Sequence, residues 1–267
     1  MSGEDTPRHA DRSSRNRFLG WFLITVGVVV GLVVVGFIVA RSGNDEDAPG
    51  GNGGTPAGAA YFDDFSDPSS GWETSTSGGV TQEYADGAYQ IRMDQDASPG
   101  VFAVAKGGTE SAGLSIADQR VSADVRILGE SDSRRDGFGV SCRVGPDGDA
   151  YYFIVSTSGG WSIQKLTSGS HNTKTLVDSN EVPTAVPIRD VNEVVAECTG
   201  GGSEPATLRL TVNGTSLPPV RDRDDPFGAG AAGMAVAGPT LFEPAGLAVS
   251  FDDFRVDDLS SPDQPSG

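Results

Sequence analysis

Two pairs of aspartates have the residue type and repetition suited to binding a metal ion. The sequence Phe-Asp-Asp-Phe occurs at residues 62–65 and again at residues 251–254. Ca²⁺ takes oxygen ligands from carboxylates and carbonyls, so calcium is the one cofactor that the sequence indicates. The four aspartates concerned are Asp63, Asp64, Asp252 and Asp253. Alternatively, these acids face water at a sheet edge, where charge discourages edge-to-edge aggregation.

A second set of side chains could bind carbohydrate. The CH faces of a sugar stack on aromatic rings, while its hydroxyls need hydrogen-bonding partners. The residues predicted to form such a surface are the aromatic Trp161 and Tyr151 and the polar Arg143 and Gln164. Alternatively, these rings pack in the core or against turns. We expect Trp72, after the turn at residues 68–71, to cover one end of the fold.

Residue patterns for catalysis are sparse. His171 is the only histidine after residue 9, and no G-x-S-x-G sequence is present to supply a nucleophilic serine. Glu193 and Glu197 would share one face of a strand, but no acid lies between them. The sequence therefore identifies no catalytic residue and favours a protein that is not an enzyme.

The segments that must position these residues have the alternation of β-strands. Residues 119–128 place Val121, Ala123, Val125 and Ile127 on one face, and similar segments recur up to residue 256. Asn213–Gly214 suits a type I′ turn between two strands. No long segment after residue 40 has the 3.6-residue period of a helix. We predict an all-β, two-sheet antiparallel jelly-roll sandwich preceded by a single transmembrane helix.

The last strand is expected to contain a bulge. Leu247, Val249 and Phe251 share one parity, whereas Phe254 and Val256 share the other. One extra residue at Asp252-Asp253 would turn both groups toward the core. If the first and last strands lie side by side, the four aspartates meet near one edge of a sheet.

An apolar run near the N-terminus predicts the membrane helix. Residues 18–40 contain no charged side chain, and a helix of that length spans the ~30 Å hydrocarbon core. A cleaved signal peptide is the alternative, but its apolar region is usually ~7–15 residues long. Four arginines precede the run, which places the N-terminus inside the cell and the rest outside. These arginines are Arg8, Arg12, Arg15 and Arg17.

The predicted organisation has five parts. Residues 1–17 form a cytoplasmic segment, residues 18–40 the transmembrane helix and residues 41–60 a flexible linker rich in Gly, Pro and acids. Residues 61–259 form the extracytoplasmic β-sandwich, and residues 260–267 form a disordered tail.

The two cysteines, Cys142 and Cys198, share strand parity with apolar neighbours and should point into the core. Because this part of the chain is predicted to lie outside the cell, where disulfides persist, we predict a disulfide between them. The alternative is two separate buried thiols.

The order of the motifs resembles a known family. FDDFSDPSSGW, VSADVRI, GFGVSCR, YYFIVS, GGWSIQKL and VSFDDFRV together resemble the concanavalin A-like lectin/glucanase sandwich, in its laminin-G-like and 3-keto-disaccharide-hydrolase-like branch. The resemblance covers nearly all of residues 61–256 and implies a jelly roll with paired terminal strands. The E-x-D-x-E-like strand of the glucanase members is missing here, which argues against glucanase activity.

Charge and composition narrow the function. The 267 residues carry a formal net charge of −18, which argues against a nucleic-acid partner. We predict a single-pass cell-membrane protein with an extracytoplasmic binding module, non-catalytic, that recognises carbohydrate or a protein partner at the cell envelope. The alternatives are a hydrolase acting on a sugar derivative and a structural subunit of a membrane complex.

Overall fold

The alternating apolar pattern produces strands in a computed structural model of the protein. The structure describes residues 55–94, 102–104, 108–129, 137–167, 172–238 and 246–260. Within these ranges the chain forms sixteen strands and no helix, as the absence of a helical period predicts. The strands are β1 (Ala59–Asp63), β2 (Ser75–Ser77), β3 (Val80–Ala85), β4 (Ala88–Met93), β5 (Phe102–Val104), β6 (Gln119–Ile127), β7 (Gly137–Val144), β8 (Ala150–Ser156), β9 (Trp161–Thr167), β10 (Asn172–Asp178), β11 (Val191–Gly200), β12 (Ala206–Val212), β13 (Thr215–Ser216), β14 (Val220–Asp222), β15 (Ala231–Ala237) and β16 (Leu247–Asp258).

These strands form two antiparallel sheets. The ten-stranded sheet has the order β13-β12-β11-β6-β16-β4-β3-β2, with β1 paired to β16 and β14 paired to β12. The six-stranded sheet has the order β10-β9-β8-β7-β15-β5. The core lies between the sheets, where alternate residues such as Val121 and Val125 in β6 are fully buried. This arrangement is consistent with the predicted jelly-roll sandwich.

The first and last strands pair, and β16 contains the predicted bulge. The pairing of β16 with β6 shifts between Asp252 and Arg255, and Asp253 has a φ of 48°. The extra residue lets Phe251 and Phe254 both face the core, where both are buried. β1 pairs with the end of β16, with Asp63 opposite Phe254. Both predictions are confirmed.

The predicted disulfide is also present. Cys142 of β7 and Cys198 of β11 are bonded to each other and fully buried. The bond therefore joins the six-stranded sheet to the ten-stranded sheet. The type I′ turn is supported as well, because Asn213 and Gly214 both have positive φ, at 51° and 78°.

The predicted membrane helix at residues 18–40 lies outside the described residues, as do residues 1–17, most of the linker, His171 and residues 261–267 of the tail. Within the described ranges, no helix has the length and apolar character needed to cross a bilayer.

Candidate functional site

Tyr151 and Arg143, two of the four predicted carbohydrate-binding residues, lie inside the sandwich. Tyr151 is fully buried, and its hydroxyl donates a hydrogen bond to Asp222 Oδ2 at 2.7 Å. The buried Arg143 guanidinium donates to the carbonyl oxygens of Phe227 and Ala117. Both side chains are committed to internal contacts and offer no surface to a sugar, which corrects the expectation from the sequence.

A bulge explains why strand alternation misplaced Arg143. Alternation puts it on the face opposite the buried Cys142. In the structure, however, Ala231 and Ala232 of β15 pair with Val144 and Cys142, so Arg143 is an extra residue in β7. Its φ of 56° belongs to the left-handed region, which turns the side chain inward.

Arg143 and Tyr151 border a buried polar cluster that the sequence analysis did not identify. Lys165 Nζ lies 2.9 Å from Asp222 Oδ2 and 4.6 Å from the centre of the Phe227 ring. The cluster braces β9 of the six-stranded sheet against β14 of the ten-stranded sheet. The sequence did contain a pattern that indicates the burial of Lys165, because this residue shares strand parity with the core residues Trp161 and Ile163.

The other two predicted residues, Gln164 and Trp161, line a groove on the outer face of the six-stranded sheet. We call this cavity of about 280 Å³ the six-strand groove. Its lining residues are Ile154, Ser156, Gly160, Trp161, Ser162, Gln164, Thr175, Asp178, Ser179, Asn180 and Ala237. Trp161 is almost wholly buried, and its indole N–H donates to the carbonyl oxygen of Thr184 at 2.8 Å. Its ring therefore provides little stacking surface.

Hydroxyl and amide groups dominate the chemistry of the six-strand groove. Gln164 Nε2 donates to Ser162 Oγ at 2.8 Å, which leaves the Gln164 carbonyl oxygen available to accept a further bond. Burial acts to raise the pKa of Asp178, but hydrogen bonds from Glu181 and Asn180 outweigh it and lower the pKa. Asp178 is therefore ionised at neutral pH. None of the described residues that line the groove is basic.

The four aspartates predicted to bind calcium are not equivalent. Asp63 is buried, and its carboxylate accepts hydrogen bonds of 2.8 Å from Trp72 Nε1 and from the Phe65 backbone. It therefore fixes Trp72, which is buried among aromatic rings that include Phe65. In the described part of the chain, no three His, Cys, Asp or Glu side chains are arranged to hold a metal ion. Calcium binding by Asp64, Asp252 and Asp253 stays a prediction from the sequence.

Acids line up across three strands on the outer face of the ten-stranded sheet. Asp124 of β6 lies opposite Glu193 of β11 on one side and Asp252 of β16 on the other. Burial raises the pKa of Asp124, with repulsion from Asp253 and Glu193 adding to the effect. Burial likewise raises the pKa of Asp252, assisted by Asp253, Asp124 and Asp64.

We expect Asp124→Asn to raise the free energy of unfolding at pH 7 by a few tenths to about 1 kcal/mol, the range for a cross-strand pair. A raised pKa in the folded state means that ionisation destabilises the fold. This destabilisation is absent below the ordinary pKa of 3.8 and increases as pH rises through the pKa that Asp124 has in the folded state. Urea unfolding should show the gain at neutral pH and none below about pH 4. An equal gain from Glu204→Gln, at a distant turn, would contradict this explanation.

The fold defines a class of protein, the two-sheet jelly-roll sandwiches. No family model and no curated protein matches the sequence. Among solved structures, the chain is similar to a Bacillus subtilis protein of unknown function with a galectin-like fold, at 12% identity and a TM-score of 0.50. That match covers 76% of this chain and 96% of the other.

Weaker structural similarities were also found. The chain is 12% identical to alginate lyase Aly36B, with a TM-score of 0.46 and coverage of 70% of this chain and 86% of the other. It is 14% identical to the GH43 protein BlXynB of Bacillus licheniformis, with a TM-score of 0.47 and coverage of 74% and 39% respectively. At these identities the similarity concerns the fold alone. The laminin-G-like and keto-disaccharide-hydrolase-like assignment stays a prediction.

Proposed function

We propose that the protein is a membrane-anchored, extracytoplasmic binding module that recognises carbohydrate through the six-strand groove. The observation that carries the proposal is the lining of this groove. The lining combines the hydroxyls of Ser162 and Thr175 and the amides of Gln164 and Asn180 with the apolar side chains of Ile154 and Ala237. Such a mixture suits a ligand that presents hydroxyls and CH groups together.

The charges in the groove define the class of sugar. Asp178 is ionised and no described lining residue is basic, so a uronic acid or a sulfated sugar would meet repulsion without a counter-ion. We therefore propose a neutral sugar as the ligand. Asp178 is also the only carboxylate among the described lining residues, whereas most glycoside hydrolases use a pair. This supports a role in binding rather than hydrolysis.

The proposed location depends on two separate observations. The uncharged run at residues 18–40 has the length and composition of a membrane anchor. The disulfide between Cys142 and Cys198 is typical of an oxidising compartment outside the cytosol. Together they support a module displayed on the outer side of the cell membrane.

We expect Gln164→Ala and Thr175→Ala each to weaken binding of a neutral glycan by about 2- to 12-fold, since a hydrogen bond contributes ~0.5–1.5 kcal/mol. A glycan array screened with the full-length protein in mild detergent would identify the ligand, and titration of the variants would measure the loss. Thr211→Ala, on the outer face of the other sheet, is the matched control and should bind normally. Absence of binding to every neutral glycan would overturn the proposal, and cleavage of a glycan would favour the hydrolase alternative.

A further inference from the structure

Two polar atoms buried at one end of the sandwich form no hydrogen bond with any residue that the structure describes. They are Oε1 of Gln119, at the start of β6, and Nε of Arg143, near the end of β7. The two residues are 0% and 1% exposed, so bulk water does not reach these atoms. Because a buried polar atom that has lost its hydration is costly to leave without a partner, native proteins rarely do so.

The two side chains meet around the same backbone groups. Gln119 Nε2 donates to the carbonyl oxygens of Ile116 and Gly230, at 2.9 and 3.2 Å. Arg143 Nη2 donates to the carbonyl oxygen of the next residue, Ala117, at 2.6 Å. A Cβ added to Gly230 would lie 2.7 Å from Arg143 Cα, so this glycine contacts both residues. The amide and the guanidinium are therefore neighbours inside the sandwich.

Rotation of these side chains would not supply the missing partners. A flip of the Gln119 amide would turn its oxygen toward the two carbonyl oxygens that its nitrogen now binds, and both hydrogen bonds would be lost. The guanidinium of Arg143 is fixed as well, because its other two nitrogens donate to the carbonyl oxygens of Phe227 and Ala117. The two atoms therefore need a partner from outside the chain.

The charge of Arg143 increases the need for such a partner. Its ion pair with Asp118 is long, at 3.8 Å, and the Asp118 side chain is 38% exposed. Burial lowers the pKa of Arg143, and the charges of Tyr151 and Asp118 oppose that effect. The guanidinium keeps its charge in a place where most of its hydration has been removed.

The chemistry of the two atoms selects the ligand. Oε1 of Gln119 can only accept a hydrogen bond, whereas Nε of Arg143 can only donate one. An anion would accept from Nε but would be repelled by Oε1, and a cation would face the charge of the guanidinium. Water both donates and accepts, and globular proteins contain roughly one buried water per 27 residues, bound to polar groups that otherwise lack partners.

We propose that Oε1 of Gln119 and Nε of Arg143 bind an internal water molecule that bridges the two side chains. The water site lies beside the disulfide, because Cys142 directly precedes Arg143 and Cys198 is the cross-strand partner of Gln119. β6 belongs to the ten-stranded sheet and β7 to the six-stranded sheet. The water therefore adds a hydrogen-bonded link between the two sheets next to the covalent one.

A crystal structure of the full-length protein, grown from mild detergent in the presence of sodium bromide, tests the proposal directly. We expect electron density for a water molecule within ~2.7–3.2 Å of both atoms. Bromide reveals an anion site through its anomalous scattering, so an anomalous peak between the two side chains would overturn the proposal in favour of an anion. A direct hydrogen bond between Gln119 and Arg143, with no water between them, would also overturn it.

Magnetic relaxation dispersion of water counts the long-lived internal water molecules in solution. Gln119→Met removes the accepting oxygen and should lower this count by one molecule. Gln90→Met is the matched control, because Gln90 is also buried but its amide nitrogen and oxygen already bond to Ala85 and Arg92. Its count should equal that of the parent protein.

Circular dichroism of each variant separates loss of the water from loss of the fold. An unchanged count in folded Gln119→Met, or an equal decrease in Gln90→Met, would contradict the proposal. If Gln119→Met does not fold, the crystal structure of the parent protein decides alone. None of these outcomes depends on whether the six-strand groove binds glycan.

Discussion

Replacing Asp222 with asparagine is expected to lower the free energy of unfolding by about 3–5 kcal/mol, because it leaves a buried ammonium without its counter-ion. The side chains of Lys165 and Asp222 are only 8% and 2% exposed. The same carboxylate accepts the hydroxyl of Tyr151, so the substitution weakens a second buried contact. Lys165 would keep its bonds to the carbonyl oxygens of Asp224 and Asp225, which do not neutralise its charge.

An exposed ion pair of the same chemistry provides the control. Lys174 Nζ lies 3.0 Å from Asp224 Oδ2, with side chains 57% and 81% exposed. Asp224→Asn should therefore lower the free energy of unfolding by only about 0–1 kcal/mol. Urea unfolding followed by tryptophan fluorescence measures both variants. Equal losses in the two variants would show that burial of the Lys165–Asp222 pair has no special role. A combined Lys165→Met and Asp222→Leu variant should recover much of the loss, since apolar residues can replace a buried pair.

The contribution of Asp222 should also depend on pH. Burial acts to raise the pKa of its carboxyl, but hydrogen bonds from Lys165 and Tyr151 outweigh burial and lower the pKa. A lowered pKa in the folded state stabilises the fold above the ordinary value of 3.8, and this stabilisation is lost as pH falls through the folded value. The free energies of unfolding of the parent protein and of Asp222→Asn should therefore become more similar below about pH 4.

Removing the disulfide is expected to lower the free energy of unfolding by about 4 kcal/mol in the chain-entropy description. Cys142 and Cys198 are 56 positions apart, so the bond restricts a long loop in the unfolded chain. Both are fully buried, so reductant should act slowly on the folded protein and quickly on the unfolded one. A double Cys142→Ala, Cys198→Ala variant avoids the need for reductant.

Urea unfolding of the double variant and of the parent protein, each with and without dithiothreitol, measures the effect. The parent protein should lose stability on reduction after unfolding, whereas the double variant should not respond to dithiothreitol. Thiol labelling of the unfolded, non-reduced parent should detect no free cysteine. Two labelled cysteines, or a double variant as stable as the parent, would contradict the prediction.

Local patterns were sufficient to predict much of the fold. Alternation located β6, and the reversal of parity between Phe251 and Phe254 located the bulge in β16. The parity of Cys142 and Cys198 was sufficient to place both in the core. Each of these inferences needs only the spacing of residues along one strand, which is why the sequence was informative.

The candidate site was less predictable because it depends on contacts between distant segments. Arg143 faces inward because β7 has one more residue than β15 at their pairing, and nothing in β7 alone reveals the length of its partner. Asp63 was predicted to bind calcium or, alternatively, to face water at a sheet edge, but the indole N–H of Trp72 donates a hydrogen bond to its carboxylate. Gln164 was selected for its polarity and does line the six-strand groove, but most of its neighbours there come from loops and strands with no distinctive motif.

The position of the disulfide has a mechanical consequence. When the folded chain is pulled by its two ends, tension follows the shortest covalent path. That path crosses directly from Cys142 to Cys198 and bypasses everything between them. β8, β9 and β10, which supply most of the strand residues of the six-strand groove, lie inside this bypassed loop. Under such tension, the strands outside the loop closed by the disulfide can unfold, while the disulfide prevents extension of the groove strands inside it.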